Sequence, residues 1–249
     1  MFAWYLAPLA LVAEYVDSTL GMGYGTSLTP ILLLFGYLPT QVVPAILLSE
    51  LVTGLLAAVL HHSVGNVDFR RGSQDRKVGF VLAGLSVIGA IAAVFLAVNL
   101  PARTVKLYIA AIVLLMGFLI LLHRNRTLSF SWSRLIGIGI VAAFNKGISG
   151  GGYGPLVTSG QIVSGVGAKN SIGITSFAEG ITCAVGVITY LILRPETSWL
   201  LAPPLLLGAT LSVPLAALTV KKLPARSFTT LVAFAVLTLG ALSLYRAIL

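Results

Sequence analysis

Residues 21–25 read Gly-Met-Gly-Tyr-Gly, residues 150–154 read Gly-Gly-Gly-Tyr-Gly, and a glutamate follows each cluster at the same distance, Glu50 and Glu179. The two segments align without a gap at an offset of 129 residues. Eight positions match: Gly21/Gly150, Gly23/Gly152, Tyr24/Tyr153, Gly25/Gly154, Thr29/Thr158, Gly36/Gly165, Glu50/Glu179 and Thr53/Thr182. Glycine matches arise easily in a glycine-rich chain, but a matched glutamate does not when the sequence holds only seven acidic residues. The chain reads as a duplicated unit, so its fold must pack two similar halves together.

The medium in which those halves pack follows from the residues between the clusters. Hydrophobic residues make up 57% of the chain and charged residues 9%, with a mean hydropathy of +1.01, far from the roughly one-quarter charged composition of soluble domains. Long apolar runs cover roughly residues 3–20, 40–62, 78–99, 104–122, 134–147, 169–193, 199–220 and 226–248. Several approach the about 20 residues that a helix needs to cross a bilayer, and they are continuous rather than alternating, which favours helices over a barrel. The predicted fold class is all-α, a polytopic integral membrane protein. Residues 28–35 and 156–163 form two shorter runs after the glycine clusters, which predicts broken or re-entrant helices. Each half then has five elements, dividing the chain into an N-terminal transmembrane repeat, 1–125, and a C-terminal one, 126–249. No basic residue precedes the first run, so it is expected to be a retained span rather than a cleaved leader.

The net charge of +9 does not point to nucleic acid, because the basic residues occupy short connections between apolar runs. There the positive-inside bias explains them. Arg70, Arg71, Arg76 and Lys77 place one loop in the cytoplasm; Arg124, Arg126 and Arg134 place a second there, and Lys221, Lys222 and Arg226 a third. The Pro101 connection stays outside despite Arg103 and Lys106. The helix bearing Glu50 then runs inward and the helix bearing Glu179 outward, so the repeat is predicted to be inverted, with both termini outside. Inverted repeats with interrupted helices at mid-membrane are a recurring plan of secondary transporters. Cys183 is the only cysteine, which excludes an intrachain disulfide and a cysteine-based metal site, and it reads as a small packing residue.

Gly21, Gly23, Gly25, Gly150, Gly152 and Gly154 allow backbone conformations closed to other residues and close approach of a ligand or a helix. At the start of a short helix, free amides and the helix dipole make an anion site, which the hydroxyls of Thr26, Thr29 and Thr158 can complete and to which Tyr24 and Tyr153 can add theirs. Tight helix packing through small residues is the competing reading. Glu50 and Glu179 lie inside apolar helices, where an ionised carboxylate is expensive unless paired. Each is either a proton-coupling or gating group or a neutral tie between helices; neither has a basic residue one turn away on its own helix. Asp17 and Lys146 occupy matched positions with opposite sign, so they are read as a mutual pair or as part of the coupling machinery. Glu14, farther out, is read as snorkelling or capping. Asn170 and Gln161 are weaker polar candidates, and adjacent His61 and His62 suit a membrane interface rather than a helical metal pair.

Glu14-Tyr-Val-Asp-Ser-Thr-Leu-Gly-Met-Gly-Tyr-Gly-Thr with Thr29-Pro30, the Gln41 to Thr53 helix and the Gly150 to Thr158 cluster resemble the two signature regions of the sulfite exporter TauE/SafE family, also described as sulfonate uptake permeases. The resemblance covers most of the chain. It implies transport of sulfite, thiosulfate, sulfonates or related organosulfur anions across the cytoplasmic (plasma) membrane without ATP and without a cofactor. The second copy departs from the first with Pro155 where Thr26 stands and Ala178 where Ser49 stands.

An ion channel is the alternative, since Gly23-Tyr24-Gly25 is similar to part of a potassium-filter sequence. A filter needs four loops, however, and one chain supplies two. A homodimer stays open for that reason. An enzyme is not expected, because no nucleophile with its base, no metal cluster and no phosphate-binding loop with Lys-Ser/Thr appears. The expected partners are a small sulfur-containing anion and the lipid bilayer.

Overall fold

The computed structural model describes residues 3–123, 131–222 and 226–248. The expected repeat boundary between residues 125 and 126, together with Arg124 and Arg126, lies outside the described residues, as does the side chain of Arg226. The described elements are helices: α1 (Leu6–Leu20), α2 (Tyr24–Leu34), α3 (Pro39–Ser63), α4 (Gln74–Asn99), α5 (Ala102–His123), α6 (Trp132–Ser149), α7 (Tyr153–Val163), α8 (Ala168–Leu193), α9 (Ala202–Lys222) and α10 (Arg226–Ile248). The chain is an all-α polytopic membrane protein, and α3, α4, α8 and α9 are each long and apolar enough to cross a bilayer.

The glycine clusters break the helices as their composition predicts. Gly21 (φ 68°) and Gly150 (φ 69°) are left-handed and end α1 and α6 by donating their N–H groups to Asp17 O and Lys146 O. That conformation is open to glycine at little steric cost, which is why it recurs at helix ends. The next helices are both 11 residues long, about 16 Å at 1.5 Å per residue, well short of a roughly 30 Å hydrocarbon core. They begin at Tyr24 and Tyr153, inside the clusters and earlier than the apolar runs at 28 and 156 suggest. Hydropathy misses these first turns because their residues are small or hydroxylated rather than apolar.

Helix directions follow from contacts. Tyr5 hydrogen-bonds Tyr37 at 2.8 Å, Thr53 donates to Glu14, and His61 meets Ser18 O, so α1 and α3 run side by side in the same direction while α2 returns between them. A methyl group built on Gly186 would touch Leu47, on Gly54 Gly180, and on Gly173 His61, so α3 and α8 are antiparallel. α5 and α10 are antiparallel too: Gly117 packs on Leu237, Gly240 on Leu114, and Arg103 reaches Ile248 O. These two antiparallel pairs join the third and the fifth helix of the first five to the third and the fifth of the last five. The remaining packing follows the same exchange, with α1 on α9 and α6 on α4, α3 on α9 and α8 on α4, α2 on α10 and α7 on α5.

One end of the bundle collects the start of α4, the start of α8 and the end of α9, joined by Asn170 to Asp75, Lys169 to Lys221 O and Asn66 to Ala217 O. Arg70, Arg71, Arg76, Lys77, Lys169, Lys221 and Lys222 all sit at this end. Tyr5, Tyr37, Arg103, Arg194 and Ile248 sit at the other. Large apolar side chains such as Ile88, Ile192 and Leu211 point outward, as a lipid-facing surface requires. The interior is built from Leu, Val and Ala, with Gly54 and Gly180 bringing α3 and α8 into backbone contact.

Candidate functional site

Midway along α3 and α8 the two glycine bends meet, backbone on backbone. A Cβ on Gly25 would overlap the Gly150 carbonyl, one on Gly151 would lie 2.7 Å from Gly25, and one on Gly154 2.5 Å from Gly21 O. The glycines bring the halves together here, and in this conformation the space between the clusters is closed. Thr26 Oγ1 accepts from Gly152 N–H at 3.0 Å, and Thr158 Oγ1 donates to Gly21 O at 2.7 Å, so each half holds the other's bend. Thr29 Oγ1, by contrast, is buried without a partner among the described residues.

Beside this contact lies a buried ionic cluster. Lys146, 0% exposed, reaches Glu179 Oε1 at 2.7 Å and Glu50 Oε2 on its other side. Glu50 Oε1 in turn accepts from Gly25 N–H at 3.2 Å, and Cys183 Sγ lies 3.9 Å from Oε2. Desolvating an ammonium or a carboxylate costs several kcal/mol, so burial of either requires partners of this kind. The glutamates thus do have a basic partner, which comes from α6 across the bundle rather than from their own helices. Asp17 and Lys146 do not pair with one another: Asp17 Oδ1 instead accepts from Tyr24 N–H at 3.1 Å, at the positive end of α2. The reason is direction, since each side chain leaves the last turn of its own helix, and only from α6 does that path lead between Glu50 and Glu179.

Glu14 also departs from expectation. It neither snorkels nor caps but is 2% exposed, accepting from Ser18 Oγ at 2.6 Å and Thr53 Oγ1 at 3.1 Å. Four carboxyl groups and one ammonium are therefore gathered in one buried region. His61 is not an interfacial side chain: it is fully buried between Ser18 O and Asn66 Nδ2. Tyr24 Oη hydrogen-bonds Ser49 Oγ at 2.8 Å; in the second half Ala178 replaces that serine, and Tyr153 Oη turns to Ser86 Oγ of α4 at 3.4 Å. Gln161 donates to Thr175, and Asn170 lies away from the cluster, on Asp75. Sequence reasoning missed Ser86 and Thr175 as partners, and the Tyr108 to Asn145 hydrogen bond beside Lys146, because nothing in their spacing signals contact with another helix; Ser18, four residues from Glu14 on α1, was signalled by helical spacing and also missed.

The chain is similar in sequence to known proteins. The chain is 28% identical over 227 residues to the probable membrane transporter protein YtnM of Bacillus subtilis (strain 168), an alignment covering 86% of this chain and 73% of that protein. The family profile described as "Sulfite exporter TauE/SafE" matches residues 6–243, taking in both glycine bends, the four buried carboxyl groups and Lys146; the chain belongs to the TauE/SafE sulfite exporter family.

Proposed function

We propose that the chain is a secondary membrane transporter for a small sulfur-containing anion such as sulfite, thiosulfate or a sulfonate, with proton movement coupled through Glu50 and Glu179. The observation that carries this reading is the Glu50–Lys146–Glu179 cluster, buried where two half-helices from opposite halves of the chain meet. Ionisable groups at such depth are costly and mark transport pathways by default. The division into repeats 1–125 and 126–249, inverted about an axis in the membrane plane, is part of the proposal. It is supported by the antiparallel meeting of α3 with α8 and of α5 with α10. The basic end of the bundle is assigned to the cytoplasm of a cytoplasmic-membrane protein.

The substrate is placed at the glycine bends, within reach of Thr29 and the neighbouring amides, and reaches them when the halves part, since rocking of two repeats about a central site is the general plan of such transporters. Uptake of thiosulfate and sulfite into proteoliposomes, with and without a proton gradient, tests the proposal, with sulfate and small carboxylates as controls. Accumulation of a sulfur anion driven by the gradient is the expected result. Failure to move any sulfur-containing anion would overturn it.

A further inference from the structure

The two half-helix starts are chemically unequal. At α2 the amides of Tyr24 and Gly25 are already held by carboxylates, Asp17 Oδ1 at 3.1 Å and Glu50 Oε1 at 3.2 Å, so the protein fills that anion position with its own side chains. At α7 the residue equivalent to Asp17 is Lys146, and among the described residues no carboxylate accepts from an α7 amide. The local charge is reversed at the same place in the fold.

A second observation marks the same spot. Thr29 Oγ1 is 1% exposed and has no partner among the described residues, whereas its counterpart Thr158 donates to Gly21 O. A Cβ built on Gly150 would lie 3.3 Å from Thr29 Oγ1, so this open hydroxyl faces the bend just ahead of α7. A buried hydroxyl left unpaired in the resting state is costly and is satisfied by a ligand that supplies an acceptor.

Resting on the transporter reading above, we infer that the α7 bend is the anion half-site and that the substrate binds by taking the place of Glu50 and Glu179 at Lys146, accepting hydrogen bonds from Lys146 Nζ and the Thr29 hydroxyl. Glu50 is a tethered competitor of the substrate. One of its oxygens sits on the Gly25 amide and the other on the ammonium that the free anion needs. Facing these three groups are Glu14 and Asp17 of α1, Tyr24 of α2, Tyr153 of α7 and Cys183 of α8, none of them cationic. A further anion entering a buried cluster of four carboxyl groups and one ammonium is repelled unless negative charge leaves. Entry is therefore tied to a proton, which passes from bulk water onto the carboxylate of Glu50 or Glu179 and frees Lys146 for the substrate.

Calorimetric titration of thiosulfate into the detergent-purified full chain, in buffers of different ionisation enthalpy, reads both affinity and proton uptake. Wild type is expected to take up a proton on binding and to bind more weakly at alkaline pH. Glu50→Gln is expected to bind with reduced proton uptake and a flatter pH dependence. Glu50→Gln combined with Lys146→Gln, which keeps the cluster's charge balance close to that of wild type, is expected to bind at least about tenfold more weakly than Glu50→Gln alone. Thr29→Val, which is nearly isosteric, is expected to weaken binding several-fold while its melting temperature is kept.

Equal affinity in the double variant and in Glu50→Gln would overturn the role of Lys146, and unchanged affinity in Thr29→Val would overturn the placement at α7. Both outcomes leave the transporter reading standing. Wild type that binds neither thiosulfate, sulfite nor a sulfonate would overturn that reading and this inference together.

Discussion

Gly25 lies against Gly150 so closely that the first carbon of any side chain on Gly25 would overlap the Gly150 carbonyl oxygen. The glycines at the two bends are first of all a contact between the two halves of the chain, made beside the meeting of Lys146 with Glu50.

Gly25→Ala is expected to destabilise the protein by at least about 1–3 kcal/mol, the usual range for overpacking, because the obstructing atoms are backbone and cannot turn aside. Gly84→Ala, on α4 with nothing within 4 Å of the added carbon, is the control and is expected to be neutral or slightly stabilising. Thermal melts of the detergent-solubilised variants check both.

Removing the charge of Lys146 alone leaves Glu50 and Glu179 buried without their cation. Lys146→Met is expected to cost about 3–5 kcal/mol, the range for breaking a buried ion pair from one side. Adding Glu50→Gln is expected to recover part of the loss. A double-mutant cycle on melting temperature or denaturation midpoint measures the coupling.

The two matched threonines should respond oppositely in stability. Thr158→Val removes the donor to Gly21 O and is expected to cost about 1–3 kcal/mol, while Thr29→Val replaces a partnerless buried hydroxyl with a methyl group and is expected to be neutral or stabilising. Chemical denaturation of the two variants separates these outcomes.

Transport by wild type is expected to rise as pH falls, because in the proposed mechanism each anion enters with a proton. The sign follows from the cluster: protonating Glu50 or Glu179 removes negative charge and releases Lys146, and raising the pH restores both. Glu50→Gln is expected to flatten the pH profile, with Glu179→Gln acting in the same direction. Gradient-independent uptake by wild-type proteoliposomes would reduce both glutamates to structural ties.

Topology is checked by labelling single cysteines in a Cys183→Ala background. Arg71→Cys and Lys222→Cys are expected to react from the same side of the membrane and Arg103→Cys from the other. Labelling of Arg71→Cys and Lys222→Cys from opposite sides would remove the inverted arrangement.

Helix number, approximate bounds and the interruptions at Gly21 and Gly150 were legible in the sequence because a bilayer forces the backbone to bond within each segment, leaving long apolar runs and glycine breaks as direct signatures. The proposed duplication was read from the same signature, two glycine clusters and two glutamates at one offset of 129 residues. What the sequence left undecided was partnership. Asp17 and Lys146 stand at matched positions with opposite charge, and this suggested a pair, but sequence spacing describes only neighbours on one helix. Packing α6 against α4 and α8 aims Lys146 between Glu50 and Glu179, while Asp17 turns to the amide of Tyr24 and Glu14 is buried against Thr53 of α3. The Asp17 contact is closed locally by the bend at Gly21, but those of Lys146 and Glu14 join residues far apart in the chain, and only the tertiary structure decides them, because the direction in which a side chain leaves its helix acquires a partner when another helix is packed in front of it.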